Sequence, residues 1–168
     1  MEPANPPPGS AKLGKLFELM DQPDFREGEH WFKKTVATNT AVIRKGECSE
    51  KLYLVNSGKL NVQEDVELDD QRHIKPGMAE ITTGGVFGEL ALFDNEPHGC
   101  SVIALTEVQL IVIDAPKLLH FLSKNSDIGY PVLFEMMQQL AGRFRATSKR
   151  TAALFAWGLK AHGIESHL

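Results

Sequence analysis

Residues 87–102 read FGELALFDNEPHGCSV and follow a pair of glycines, Gly84 and Gly85. Glycine permits a sharp turn and lets a ligand approach the backbone closely. The beginning of the stretch suits one helical turn, and the rest suits an exposed loop that leads into a strand. A helix start behind glycines presents unpaired backbone N–H groups at a positive dipole end, which favours phosphate. Glu89 adds a carboxylate that can accept hydrogen bonds from a sugar hydroxyl.

The stretch resembles the phosphate-binding cassette of cyclic nucleotide-binding domains, whose common pattern is F-G-E-[LI]-[AG]-L…P-R-A-A-[ST]-V. The residues that agree with this pattern are Phe87, Gly88, Glu89, Leu90, Ala91, Leu92, Pro97, Ser101 and Val102. His98 stands where the family places the arginine that pairs with the cyclic phosphate, and Gly99 and Cys100 replace two alanines. The motif therefore indicates the family and leaves the ligand open.

The resemblance implies a role for each residue at the start of the cassette, which we define as residues 84–102. Glu89 is expected to contact the ribose 2′-hydroxyl, and Gly88 to keep the backbone clear of an obstructing side chain. Leu90 and Ala91 are expected to direct their N–H groups to the phosphate. Two apolar residues are expected to anchor the cassette to the core, Leu92 and Phe93. Without a ligand, Glu89 would be a surface carboxylate or an acid favoured by the helix dipole.

His98 decides how much of the family's function is expected of this chain. Arginine carries a permanent charge on a planar fork that matches phosphate. A histidine side chain ionises at about pH 6.5 in model peptides and donates through one nitrogen when neutral. Loss of a charge-assisted hydrogen bond costs about 1.5–3 kcal/mol, which weakens binding roughly ten- to a hundredfold. Three outcomes stay open: weaker phosphate binding that improves on protonation, a different anion or nucleotide, or no ligand.

Three further residues complete the expected ligand site. Ser101 lies where the family carries a serine or threonine that often faces the base, although its hydroxyl equally suits a strand start. Thr147 and Ser148 lie in RFRATSKR, which resembles the helix of bacterial catabolite activators where a Thr-Ser pair touches adenine, the serine from the partner subunit. An ordinary exposed Thr-Ser pair is the alternative. The expected ligand-binding set is Gly88, Glu89, Leu90, Ala91, His98, Gly99, Ser101, Thr147 and Ser148.

The composition is that of a globular protein without a nucleic-acid or membrane signature. The 168 residues suffice for one domain with a core, and 42% of them are hydrophobic. A net charge of −4 offers no overall attraction for nucleic acid. The N-terminus resembles no signal peptide, and no apolar run approaches the roughly 20 residues of a transmembrane helix. We therefore expect a cytoplasmic protein that contacts no membrane.

No residue pattern points to catalysis or to a bound metal. Cys48 and Cys100 match no recognised metal spacing or disulfide framework, and we expect both to be reduced and half-buried. The six histidines include no closely spaced His-x-His pair of the kind that holds the metal of cupin enzymes. Cys100 has no identifiable base partner in the sequence. We expect no catalytic residue, no metal and no cofactor, with cAMP or cGMP as candidate ligands.

The chain divides into five segments. We expect a proline-rich flexible tail at 1–10, a helical segment at 11–24, strands at 25–114, helices at 115–160 and a tail at 161–168. Short strands separated by turns favour a sandwich or barrel. The resemblance implies a mainly β fold with flanking helices: an eight-stranded jelly-roll β-barrel (a double-stranded β-helix) between an N-terminal helix and a long C-terminal helix.

Tight connections are predicted within the β region. The sequence NSGK at 56–59 favours a hairpin turn between adjacent strands. Residues 102–105 and 108–113 are expected to pair with each other in the same way. The acidic stretch at 64–70 is expected to form a solvated hairpin tip.

The long C-terminal helix is expected to carry two surfaces. Its apolar positions are predicted to form one stripe, Leu133, Met136, Met137, Leu140, Phe144, Leu154 and Phe155. Such a stripe usually packs on a core, but this helix is longer than one small barrel can cover, which favours a homodimer. A basic cluster is expected to form a solvated face near the helix end, Arg143, Arg145, Lys149 and Arg150.

The preferred function is a non-enzymatic regulatory module that binds a cyclic or related nucleotide and changes its contact with an unidentified protein partner. The alternative is a degenerate domain that has lost cAMP binding and acts in dimerisation or protein interaction, which the replacements at 98–100 favour. A metal-dependent enzyme is the third class, and it lacks the expected ligands. Direct DNA binding is not expected, because residues 157–168 are too few for a helix-turn-helix domain.

Overall fold

A computed structural model describes residues 14–64, 66–68, 72–74, 77–94 and 96–161. The tail predicted at 1–10 lies outside the described residues, as do 162–168 and three residues of the acidic stretch, Asp65, Asp69 and Asp70. The elements in chain order are α1 (Gly14–Leu19), β1 (Trp31–Val36), β2 (Ala41–Ile43), β3 (Lys51–Ser57), β4 (Lys59–Gln63), β5 (Val66–Leu68), β6 (Arg72–Ile74), β7 (Gly77–Thr82), β8 (Val86–Phe87), a 3₁₀ helix (Glu89–Leu92), β9 (Ser101–Ala104), β10 (Val108–Asp114), α2 (Ala115–Lys124) and α3 (Ser126–Ala161).

Two antiparallel four-stranded sheets form the centre of the fold. The strand order is β1-β10-β3-β8 in the first sheet and β2-β9-β4-β7 in the second, and β5 and β6 form a separate two-stranded ribbon. The predicted mainly β fold with flanking helices is thus confirmed. In the described part of the chain no strand pairing joins the two sheets. The predicted eight-stranded barrel is therefore observed as two sheets of four strands, without closure.

The first sheet is the middle layer of the molecule. On β3, Tyr53 and Val55 belong to the hydrophobic cluster between the two sheets, whereas Leu52 and Leu54 belong to the cluster beneath the helices. Alternate side chains of a strand point to opposite faces, so a strand that is covered on both sides is apolar throughout. The same alternation holds along β10, whose central sequence is LIVI.

The helices cover the outer face of the first sheet. Leu16 of α1, Leu118 of α2 and Val132 of α3 are all buried in the cluster beneath them. Gly129 lets α3 pass close to α2, because a Cβ at this position would lie 2.5 Å from the carbonyl oxygen of Leu122. The first turns of α3 are thereby fixed to the body of the domain.

The predicted hairpins at 56–59 and 102–113 are wrong. β3 and β10 lie in the first sheet, whereas β4 and β9 lie in the second, so both turns carry the chain from one sheet to the other. The two turns contact each other: Leu105 N donates to Lys59 O at 2.8 Å, and Lys59 N donates to Thr106 Oγ1 at 3.1 Å. Gly58, with φ of +99°, allows this approach, since a Cβ there would lie 2.5 Å from Glu107 O.

Candidate functional site

The cassette turns sharply after β8 at Gly88. Its φ is +74°, and a Cβ would lie 2.7 Å from the carbonyl oxygen of Lys51. A glycine is therefore required here by the approach of β3, whether or not a ligand is present. The single helical turn predicted after it is the 3₁₀ helix Glu89–Leu92.

Side-chain burial repeats every three residues in the 3₁₀ helix, because residues i and i+3 lie on the same side of this helix type. Glu89 and Leu92 point inward and are buried, at 8% and 6% exposure. Leu90 and Phe93 point outward and are exposed, at 52% and 58%. The expected anchoring of the cassette is thus observed for Leu92, whereas the prediction that Phe93 anchors it is wrong.

Glu89 is bonded to α3 by an arginine. Arg143 Nη1 donates to Glu89 Oε1 at 2.5 Å, and Arg143 Nη2 donates to the carbonyl oxygen of Val86. Both side chains are largely covered, at 24% exposure for Arg143 and 11% for Glu89. The prediction that Arg143 belongs to a solvated basic face is therefore wrong, because the carboxylate beneath it provides a charged partner within the protein.

A cavity of about 890 Å³ lies between the cassette, the second sheet and α3. The predicted ligand-binding residues that line it are Gly88, Glu89, Leu90, Ala91, His98, Gly99 and Thr147. The fold therefore brings seven residues from distant parts of the sequence around one space. Apolar side chains of the second sheet, such as Val62 and Val102, form much of the opposite wall.

Two predicted ligand-binding residues do not line this cavity. Ser101 Oγ accepts a hydrogen bond from Lys45 N at 3.0 Å, which is the strand-start role considered as its alternative. Ser148 lies in a shallow groove on another face of α3, next to Phe144 and Ala152. Ala91 lines the cavity, but its N–H donates to Gly88 O at 3.2 Å within the turn.

His98 is fixed by its backbone at the cavity wall. Its N–H donates to Glu47 O at 2.9 Å, and its carbonyl oxygen accepts from Gly46 N at 2.8 Å. Its side-chain Nε2 is buried and has no hydrogen-bond partner among the described residues. A buried polar atom without a partner costs free energy, so this nitrogen is a point at which a ligand would gain a contact.

The cavity-facing side of α3 contains residues that the sequence analysis did not assign to the site. Arg143, Thr147, Arg150 and Leu154 follow one another at intervals of four, three and four, and all line the cavity. This spacing places side chains on one face of a helix. Thr147 was already a candidate. Helical spacing applied from Thr147 toward both ends of α3 would have identified Arg143, Arg150 and Leu154 as well.

A family model for the cyclic nucleotide-binding domain matches residues 33–125, more than half of the chain. The chain belongs to this family. The cyclic nucleotide-binding domain is 27% identical over 117 residues to a CRP-like cAMP-activated global transcriptional regulator of Mycobacterium tuberculosis, covering 67% of this chain and 47% of that protein. It is 32% identical over 100 residues to a cAMP-dependent protein kinase regulatory subunit of Blastocladiella emersonii, and the match covers 59% of this chain and 24% of that protein. It thus spans less than half of either relative.

Solved structures agree with this fold. A cyclic nucleotide-binding domain from Methylobacillus flagellatus superposes with a TM-score of 0.64 at 22% identity, covering 72% of this chain and 66% of that chain. The Thermus thermophilus catabolite activator protein superposes with a TM-score of 0.60 at 20% identity, covering 74% and 55%. At these identities the likeness concerns the fold of the cyclic nucleotide-binding domain.

The two cysteines of the cyclic nucleotide-binding domain are free and differ in environment. Cys48 is exposed, so the prediction that it is half-buried is wrong, whereas Cys100 is half-buried. Burial raises the pKa of the Cys100 thiol, and the negative charges of Glu64 and Glu89 raise it further. Because the thiolate is the reactive form, Cys100 is a poor nucleophile at neutral pH.

The described residues of the cyclic nucleotide-binding domain contain no group of three or more His, Cys, Asp or Glu side chains placed to hold a metal ion. None of the helices among these residues is long and apolar enough to cross a membrane.

Proposed function

We propose that this cyclic nucleotide-binding domain is a non-enzymatic regulatory module that binds a cyclic nucleotide in the cavity between the cassette and α3. The observation that carries the proposal is the meeting of Glu89 and His98 at one cavity of suitable size, where His98 Nε2 is buried without a hydrogen-bond partner among the described residues. Glu89 would accept from the ribose hydroxyl, and His98 would donate to the phosphate. The base would then extend toward Thr147.

Ligand binding would change the contact between the cassette and α3. Glu89 accepts a hydrogen bond from Arg143, so a ribose hydroxyl that binds Glu89 would share or replace that bond. Arg143 belongs to α3, and a ligand that prefers one arrangement of α3 shifts the population toward it. The cavity is thereby linked to the helix that extends beyond the body of the domain.

The same ion pair favours a second candidate function. Arg143 satisfies both Glu89 and the Val86 carbonyl within the protein, as it would in a domain that has lost its ligand and serves in protein interaction. Such a domain would keep the fold and the pair while the cavity stays unused.

Titration calorimetry with cAMP and cGMP separates the two candidates. A regulatory module is expected to bind at micromolar concentration, with His98 as a donor to the phosphate. Glu89→Gln is expected to weaken binding, and the exposed Glu107→Gln serves as the matched control. Absence of heat at millimolar nucleotide, with the fold intact by circular dichroism, would overturn cyclic-nucleotide binding and leave the interaction module or another ligand.

We also propose that α3 pairs with its copy in a homodimer. Six aromatic or methionine side chains on α3 are at least half exposed, and five of them form the seam: Tyr130, Phe134, Met137, Phe144 and Phe155, with Trp157 outside it. Their intervals of four, three, seven and eleven residues follow the heptad pattern of a coiled coil. The residues predicted as one apolar stripe divide between faces, with Met136 buried in the core and Met137 exposed. The exposed seam, distinct from the cavity side, is the face that a second copy would cover.

A further inference from the structure

We infer that the end of the cavity remote from the cassette recognises guanine, with Arg150 and Glu80 as the residues that set the preference for a guanine over an adenine nucleotide. This inference rests on the proposed function and names the base of its ligand.

The position of the base follows from the position of the sugar site. Glu89 and Arg143 mark the cassette end of the cavity, where they are bonded to each other. Arg150 lies two turns further along α3 and lines the same cavity, a rise of about 10 Å along the helix. A mononucleotide with its ribose at Glu89 therefore extends its base toward Arg150, with Thr151 beside it.

A guanidinium distinguishes the two purines by its donors. It carries five N–H donors and no acceptor. Guanine presents two acceptors, O6 and N7, on one edge, and Arg pairs with them in a bidentate manner. Adenine presents N7 next to an amino donor at N6, which would oppose the second N–H of Arg150. Arg150 can thus form two hydrogen bonds with guanine on this edge and only one, through N7, with adenine.

A carboxylate on the opposite wall adds to the same preference. Glu80 lines the cavity from β7, where its ion pair with Lys59 Nζ measures 3.4 Å. An ionised carboxylate only accepts hydrogen bonds, and guanine offers the N1–H and N2–H donors on its pairing edge. Adenine offers Glu80 only its N6 amino donor, next to an acceptor at N1 that the carboxylate would oppose, so it pairs less well than guanine. Thr147 and Thr151 can donate or accept and serve either base.

The test compares cGMP with cAMP on four proteins by titration calorimetry: the unaltered chain, Arg150→Gln, Glu80→Gln and the control Arg145→Gln. Arg145 is an exposed arginine of α3 that does not line the cavity. The unaltered chain is expected to bind cGMP about ten- to a hundredfold more tightly than cAMP. Arg150→Gln is expected to remove most of this preference by weakening cGMP more than cAMP, and Arg145→Gln to leave both affinities unchanged. Cyclic di-GMP and 5′-GMP, titrated in parallel, distinguish the form in which guanine is presented.

The possible outcomes separate this inference from the proposed function. Equal or tighter binding of cAMP, or an equal loss for both nucleotides in Arg150→Gln, overturns the assignment of guanine and leaves nucleotide binding intact. Absence of binding for every nucleotide overturns both. A preference for guanine that survives in Arg150→Gln but disappears in Glu80→Gln would reassign the selectivity to the carboxylate and reject the role of Arg150.

Discussion

Arg143 connects the cassette to α3 through two hydrogen bonds, one to Glu89 and one to the Val86 carbonyl. We expect Arg143→Met to lower the free energy of unfolding by about 1–3 kcal/mol, because a largely covered carboxylate loses its charged partner. In that background Glu89→Gln should restore part of the loss, since a neutral amide tolerates burial better. Urea denaturation of the two single variants and the double variant measures the coupling.

Arg145→Met provides the control for that experiment, because Arg145 is exposed on the same helix and should change stability little. Additive effects of the Arg143 and Glu89 substitutions would show that the pair contributes no coupling.

At the level of residues, the sequence motif located the cassette side of the site well. Glu89, Gly99 and His98 all line the cavity where the motif predicts a ligand. Arg143 was missed because a cluster of basic residues on a helix usually faces solvent, and only the folded chain brings it within 2.5 Å of Glu89. Arg143 and Glu89 are 54 residues apart in the sequence. They meet because α3 packs against the cassette, and a local sequence pattern does not predict that packing.

Asp114, at the end of β10, stabilises the start of α2. Its Oδ1 accepts from Lys117 N at 3.1 Å and its Oδ2 from Lys51 Nζ at 2.8 Å. Partial burial acts to raise the pKa of Asp114, but the hydrogen bonds and charges of Lys51 and Lys117 outweigh it and hold the pKa below its usual value. The folded state therefore favours the ionised carboxylate, so the stabilisation is complete above the unfolded pKa of about 3.9 and disappears as the pH falls through the folded pKa.

We predict from this that Asp114→Asn lowers the free energy of unfolding by about 1 kcal/mol at pH 7, because asparagine still caps the helix but cannot form the ion pair. The difference in the free energy of unfolding between the unaltered chain and Asp114→Asn should shrink as the pH falls below about 4. Urea denaturation from pH 7 to pH 3 measures it, with the exposed Asp24→Asn as control. A difference that stays constant over this range would contradict the assignment of the charge.

Among the strands and turns, local signals predicted positions better than pairings. The break between two strands lies within NSGK at 56–59, as predicted, because Gly58 separates β3 from β4. The hairpin was inferred because short turns between strands usually join neighbours. Here Gly58 and Lys59 lie against the turn at Leu105 and Thr106. At each of these two turns the polypeptide passes from one sheet to the other, so the strands on either side of a turn do not pair.

At the scale of the whole molecule, short strands between two helical regions predicted a mainly β centre with flanking helices, which the structure confirms. The burial of β10 on both faces became known only from the structure. Whether eight strands close into a barrel depends on pairing at the sheet edges, and such pairing leaves no mark on the local pattern. The exposed seam of α3 is the surface that the proposed homodimer would cover.

We predict that Phe144→Glu converts a dimer into a monomer. Phe144 is 72% exposed near the middle of the seam, and a carboxylate there would be opposed by its own copy across a twofold axis. Analytical ultracentrifugation of the unaltered chain should give the dimer mass, and the variant the monomer mass. Phe32→Glu is the matched control, since Phe32 is 47% exposed on β1, does not belong to the seam and should leave the dimer intact. A monomeric unaltered chain at high concentration, or a dimer that persists in Phe144→Glu, would show that α3 does not form the interface.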